Sequence, residues 1–139
     1  MRILALDVGD KTIGLAISDE LLCTAQGVDV IRRSSWIKDV VQLKDVIEQH
    51  GVNRLLIGMP RNMDGSYGPR SEIVKKFVDK LRTEFPEQEF VFWDERLSTV
   101  AAQKNLIAAD VSRAKRRKVI DKMAAVFILQ GYLDSLRRS

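Results

Sequence analysis

The sequence predicts an α/β fold built on a mixed five-stranded sheet with helices on both faces, and three features of the pattern support it. Near the N-terminus, segments of strand length at residues 2–8, 13–19 and about 24–31 are joined by short turns, as in an antiparallel meander. After the meander, segments with helical periodicity alternate with two further strand-like segments. An apolar run at residues 54–58 is typical of a strand that is covered on both faces. Such alternation is typical of layered α/β proteins.

The first predicted helix begins after Ser34 or Ser35, because serine is favoured at helix N-termini. Its apolar positions recur every three or four residues, and Gly51 follows it as a residue suited to the left-handed backbone of a helix end. The fourth strand comes next and leads into a loop over residues 59–68 that is rich in turn-forming residues. Pro69 then predicts the start of a second helix.

The rest of the chain continues the alternation. Residues 89–93 form the last predicted strand, and Ser98 or Thr99 is suited to cap a helix over about 99–108. A polar, basic connection follows, and a long final helix is expected from about 118 to 136. We find no repeat or linker that would divide the chain, so we expect a single domain over residues 1–139.

Composition narrows the classes of function. The net charge of +4 and the isoelectric point near 9.4 are compatible with a polyanionic partner. Because the chain has one cysteine and one histidine, it cannot build the usual Cys/His zinc site or a disulfide framework. No apolar run is long enough to span a membrane, and the first strand leaves no room for a signal peptide. We therefore expect a cytoplasmic protein that does not act at a membrane.

Three carboxylates are expected to meet at one edge of the sheet. Asp7 ends the first strand, Glu95 follows the fifth directly after Asp94, and Asp121 lies one turn after the start of the final helix, followed by two small alanines. Taken alone, Asp7 is equally compatible with a turn former, but strand ends and ligands gather at the same sheet edge. Like charges brought together repel unless a cation lies among them. Carboxylate ligands suit Mg²⁺ or Mn²⁺, and a two-metal site with ions about 3.5–4 Å apart would promote phosphodiester hydrolysis without a protein nucleophile.

Four segments of the chain resemble the YqgF/RuvX family of the RNase H-like superfamily, which is related to the RuvC Holliday junction resolvases. The segments are Asp7-Val8-Gly9-Asp10-Lys11-Thr12-Ile13-Gly14, Gly58-Met59-Pro60-Arg61-Asn62-Met63-Asp64-Gly65, Asp94-Glu95-Arg96-Leu97-Ser98-Thr99 and Asp121-Lys122-Met123-Ala124-Ala125. The resemblance implies an RNase H-like three-layer fold and a metal-dependent nuclease that matures the 5′ end of pre-16S ribosomal RNA. An older assignment for the family is Holliday junction resolution.

The resemblance also implies roles for individual residues. The acidic positions of the family fall on Asp7, Glu95 and Asp121, which are the expected catalytic and metal-binding residues. Strand alternation sends adjacent side chains to opposite faces, so only one of Asp94 and Glu95 can face the metal ions. The resemblance favours Glu95 as that ligand. Asp94 is then expected to accept hydrogen bonds, for example from Arg96. The chain departs from the family at Thr12, where arginine is more common, so Lys11 is left as the basic residue of the first hairpin.

Several cationic and polar residues are expected to contact nucleic acid. In the loop after the fourth strand and at the start of the second helix, Asn62 and Arg70 are candidates, and Asp64 is a candidate spare metal ligand. A basic segment precedes Asp121. With Lys11, it supplies the remaining predicted contacts to phosphates, namely Arg113, Lys115, Arg116, Arg117 and Lys118.

Other functions remain open at the level of sequence. The expected partner is structured RNA, such as pre-ribosomal RNA or a ribosomal particle, or branched DNA, because backbone contacts do not distinguish them. A resolvase would need two active sites and hence a homodimer. A non-catalytic RNA-binding module is a further alternative. An Asp-x-Gly turn also occurs in actin-like and sugar-kinase-like nucleotide binders, but these need two domains, which 139 residues cannot supply.

Overall fold

The computed structural model describes residues 1–62, 64–97 and 113–137, and for residues 113–122 it describes the backbone only. The strands are β1 (Arg2–Val8), β2 (Thr12–Ser18), β3 (Ala25–Arg32), β4 (Val52–Met59) and β5 (Glu89–Asp94). The helices are α1 (Trp36–His50), α2 (Pro69–Glu84) and α3 (Arg113–Arg137), and a short 3₁₀ turn covers Glu95–Leu97. The predicted strand boundaries differ from these by at most two residues.

The five strands form one mixed sheet in the order β3-β2-β1-β4-β5. Strands β1, β2 and β3 are antiparallel, whereas β4 runs parallel to β1 and β5 runs parallel to β4. The predicted meander and mixed sheet are therefore confirmed. Because β1, β4 and β5 share one direction, their carboxyl ends lie side by side at the same edge.

The sheet has a helical layer on each face. On one face, alternate residues of β1 such as Leu4 and Leu6 pack with α1 and α2. On the other face, Ile3 and Ala5 pack with α3, whose buried side chains are Ala124, Ala125, Ile128, Leu129 and Leu133. Alternation of side chains along β1 thus feeds two separate hydrophobic cores, and the predicted three-layer arrangement is confirmed.

The predicted ends of α1 are also confirmed. The Ser35 side chain accepts a hydrogen bond from the backbone N–H of Lys38, and Gly51 closes the helix with φ of 63°. Only a residue without a Cβ adopts this left-handed conformation at little cost. The second helix begins at Pro69, whose fixed φ suits the first helical position.

The final helix begins earlier than expected. The sequence predicts a connection before residue 118, but the structure has helix from Arg113. Arginine, lysine and alanine are strong helix formers, so a run of cations does not by itself break a helix. The helix predicted over about 99–108 lies outside the described residues. In the described part of the chain, no helix is both long and apolar enough to cross a membrane.

Candidate active site

Asp7 lies at the carboxyl end of β1 and is partly buried. It pairs with Gly14 of β2, and it follows Leu6, which pairs with Ile57 of β4. Asp7 therefore lies alongside Gly58, one residue further along both strands. Since side chains alternate along a strand, Asp7 points to the face that is covered by α3.

Glu95 occupies the space above Gly58. A Cβ atom built on Gly58 would lie 3.0 Å from Oε1 of Glu95 and 2.6 Å from Cδ1 of Ile128. Real Cβ atoms do not approach other atoms so closely, so a side chain at position 58 would have to displace Glu95, Ile128 or both. Two of the predicted carboxylates, Asp7 and Glu95, thus lie on the same face of the sheet, at the ends of the two strands that flank β4.

The direction of α3 relates the third predicted carboxylate to this edge. Ile128 lies against Gly58 at the carboxyl end of β4, whereas Tyr132 accepts a hydrogen bond from Arg54 at the beginning of β4. The helix therefore runs opposite to β4, and its earlier turns lie toward the carboxyl ends of the strands. Position 121 belongs to those earlier turns. The side chain of Asp121 lies outside the described part of the structure.

Asp94 anchors two arginines beside Glu95. Its carboxylate accepts hydrogen bonds from Arg96 at 2.8 Å and from Arg61 at 3.3 Å, and its side chain is 13% exposed. The hydrogen bonds from Arg96, with a smaller contribution from Arg61, lower the pKa of Asp94 to about 2. The expected contact with Arg96 is confirmed. The contact with Arg61 was not predicted, because the two residues meet only when β4 and β5 pair.

We expect Asp94→Asn to lower the free energy of unfolding by about 1 kcal/mol at pH 7, because the arginines are partly exposed and screened by solvent. The pKa of Asp94 is depressed in the folded state, so its contribution is present above the unfolded pKa near 4 and is lost as the pH falls toward 2. Urea denaturation of both proteins at pH 7, 4 and 3 measures this. A stability difference that stays constant over this range would contradict the assignment.

The loop after β4 is held by its own polar residues. Asp64 accepts hydrogen bonds from the backbone N–H and the hydroxyl of Ser66, which lower its pKa. The amide of Asn62 donates to the Ser66 hydroxyl. Gly65 lies against the guanidinium of Arg96, so the loop is folded back over the end of β5. Asn62 and Asp64 are thus near the predicted site, while their roles as substrate contact and spare ligand stay predictions.

Two arginines hold the turn that follows Asp7. Arg70 donates to the Asp10 carboxylate at 2.8 Å and to the Val8 carbonyl at 3.3 Å. Arg33 donates to the Gly9 carbonyl at 2.6 Å. The sequence did not indicate this role for Arg33, because Arg33 follows the carboxyl end of β3 and reaches the turn only in the folded sheet. Together these hydrogen bonds restrain the turn immediately after Asp7.

The structure describes the side chains of only some of the cationic residues that are predicted to contact nucleic acid. Lys11 is exposed at the tip of the first hairpin, and Arg70 is half exposed at the start of α2. The basic segment before Asp121 is helical, and its side chains lie outside the described part. Among the side chains that are described, no three from His, Cys, Asp and Glu lie close enough together to hold a metal ion. The predicted triad includes Asp121, whose side chain is not among them.

Known proteins match this chain over nearly its whole length. A family model described as "RuvX: Holliday junction resolvase" matches residues 1–135. A protein of Clostridium tetani is 54% identical over 136 residues, with 98% of each chain covered. One of Desulforamulus reducens is 58% identical over 135 residues, covering 97% of this chain and 98% of the relative. Both relatives carry the name "Putative pre-16S rRNA nuclease".

Solved structures support the fold. The RuvC protein of Thermus thermophilus, in complex with a Holliday junction substrate, matches with a TM-score of 0.60 at 12% identity, covering 100% of this chain and 97% of that one. The Holliday junction resolvase of fowlpox virus matches with a TM-score of 0.56 at 18% identity, covering 98% and 99%. These likenesses confirm the predicted RNase H-like three-layer fold. With the family model matching residues 1–135 and the relatives more than half identical, the chain belongs to the RuvX family.

Proposed function

We propose that this protein is a divalent-metal-dependent nuclease that cleaves precursor 16S ribosomal RNA at its 5′ end. The observation that carries the proposal is the placement of the Glu95 carboxylate over Gly58, alongside Asp7. The names of its relatives support pre-16S RNA as the substrate. A cytoplasmic location follows from this substrate and belongs to the same proposal.

The residues fit a hard divalent cation. Asp7 and Glu95 offer carboxylate oxygens, which are the ligands that Mg²⁺ and Mn²⁺ prefer. Because Gly58 has no side chain, the Glu95 carboxylate can lie over the end of β4. We assign Asp121 as the third ligand, supported by the direction of α3. When bound, such ions polarise a phosphodiester and lower the pKa of water, so that the water can attack phosphorus.

The chain's own residues position the carboxylates and the substrate. Arg33 and Arg70 hydrogen-bond the turn after Asp7, which limits movement of the strand end. Lys11, at the tip of that turn, is assigned to a backbone phosphate, and Asn62 and Arg70 to further polar contacts. The basic segment at the start of α3 is assigned to more distant phosphates, through Arg113, Lys115, Arg116, Arg117 and Lys118.

The description of the family favours a second candidate, cleavage of branched DNA. Resolution of a four-way junction requires two symmetric cuts, and therefore a homodimer with two active sites. The two candidates share the same carboxylates and differ in substrate and assembly.

Cleavage assays with two substrates in parallel test the proposal. One is an RNA that carries the 16S 5′ end with its leader, and the other is a four-way DNA junction, each with Mn²⁺ or with EDTA. We expect a metal-dependent cut in the RNA. Paired symmetric cuts in the junction alone would favour the resolvase. Binding without cleavage of either substrate would favour a non-catalytic RNA-binding module.

A further inference from the structure

Tyr67 gathers two cations at one side of the candidate site. Its ring is half exposed in the loop after β4. The guanidinium carbon of Arg61 lies 4.3 Å from the ring centroid, and the amino nitrogen of Lys75 lies 4.1 Å from it. Each contact is a cation–π interaction, in which the negative ring face attracts the positive charge. The ring therefore holds two like charges, each within 4.3 Å of its centroid.

The described residues neutralise the charges of these two cations only in part. Arg61 has one carboxylate partner, Asp94, and its Nε is buried without a hydrogen-bond partner among the described residues. Lys75 has no carboxylate partner in the described part of the chain, and its amino group lies over the Tyr67 ring. The two cations share one ring, and only Arg61 has a carboxylate partner, so an anion that reached both would relieve their repulsion.

The position of this group fits a nucleic-acid strand that passes the candidate site. Arg61 joins the ring to Asp94, which ends β5 at the sheet edge that carries Asp7 and Glu95 but faces the opposite side of the sheet. A nucleic-acid strand bound at this edge carries further phosphates beyond the one at Asp7 and Glu95. Backbone phosphates are anions that arginine and lysine bind without regard to base sequence.

We propose that Arg61 and Lys75, held in place by Tyr67, bind a backbone phosphate of the nucleic acid at the sheet edge that carries the candidate site. This inference rests on the proposed nuclease function and adds a second point of contact to it. Tyr67 is a positioning residue, because it acts through the two cations.

Salt dependence of binding tests the inference without cleavage. Binding of a fluorescently labelled single-stranded oligoribonucleotide is followed in EDTA by fluorescence anisotropy at several salt concentrations. For Lys75→Gln we expect the slope of log K against log [salt] to fall by about one, with affinity weakened about fivefold at low salt. Lys76→Gln is the matched control, since Lys76 is the next residue of α2 and is exposed. It should change both quantities less than Lys75→Gln does.

The role of the ring is tested at Tyr67 itself. Tyr67→Phe keeps the aromatic face and should keep the affinity, whereas Tyr67→Leu removes the cation–π contacts and should weaken binding about as much as Lys75→Gln. Equal affinities of the phenylalanine and leucine variants would overturn the positioning role.

Oligonucleotides that carry one uncharged linkage each identify the phosphate that the two cations bind. In a series of oligonucleotides, one methylphosphonate linkage is placed at each position in turn. We expect a methylphosphonate at one position to weaken binding of the wild type and not of Lys75→Gln, because the two changes remove the same contact. A series that affects both proteins equally at every position would overturn the proposal, as would equal effects of Lys75→Gln and Lys76→Gln. Because no step requires cleavage, failure of the nuclease function would not produce either result.

Discussion

Asp7→Asn and Glu95→Gln should each lower the single-turnover rate of RNA cleavage by at least about 10²-fold, with little change in RNA affinity. Each change removes a negative charge that the proposed metal ions need, while keeping the size and shape of the side chain. Binding depends mainly on the cationic residues, so it should survive the loss of a carboxylate. Quenched-flow cleavage with saturating protein measures the rate, and anisotropy in EDTA measures the affinity.

Glu89→Gln is the matched control for these variants. Glu89 lies at the opposite end of β5, where it pairs with Arg54 at 3.1 Å and is 60% exposed. Its loss should leave the cleavage rate within about twofold of the wild type, since exposed ion pairs contribute little. Unchanged rates in Asp7→Asn or Glu95→Gln would remove these carboxylates from the reaction.

Gly58→Ala should lower the cleavage rate about 10²-fold and the free energy of unfolding by only about 1 kcal/mol. The added methyl group would lie 3.0 Å from Oε1 of Glu95 and 2.6 Å from Cδ1 of Ile128. Both atoms are at the ends of flexible side chains, so the fold can accommodate the change. A displaced Glu95, however, no longer presents its carboxylate at the required position. Urea denaturation and single-turnover cleavage measure the two effects separately.

The double variant Gly58→Ala/Ile128→Val separates the two contacts. Valine lacks the Cδ1 atom of Ile128, so the closest clash is removed while the contact with Glu95 remains. We expect stability to recover and activity to stay low. Recovery of both would mean that crowding of α3, and not displacement of Glu95, causes the loss of activity.

Local patterns were enough to predict the order of the strands and helices that the structure describes. Ser35, Gly51 and Pro69 mark helix ends through their own backbone and hydrogen-bonding preferences, which do not depend on distant residues. The strand-like segments that lead to Asp7 and Glu95 predicted that both acids lie at the carboxyl ends of strands. The start of α3 was predicted too late, because a run of cations was interpreted as a connection although its residues favour helix.

Contacts between distant segments could not be predicted from local patterns. Arg61 meets Asp94 across 33 positions of sequence, and Arg70 meets Asp10 across 60. Gly58 has a steric role that depends on Glu95 and Ile128, which only the folded chain brings to it. Tyr67 is an ordinary loop aromatic in the sequence, and its two cations are recognisable only in three dimensions.

Cleavage of the leader-carrying RNA in ¹⁸O-labelled water, followed by mass spectrometry of the new ends, tests the central claim most directly. If metal-activated water attacks phosphorus, the product carries a linear terminal phosphate with one ¹⁸O atom incorporated during cleavage. The reaction should also disappear in EDTA and in Asp7→Asn. A 2′,3′-cyclic phosphate end without ¹⁸O, formed equally by Asp7→Asn, would show attack by the ribose hydroxyl and contradict the account.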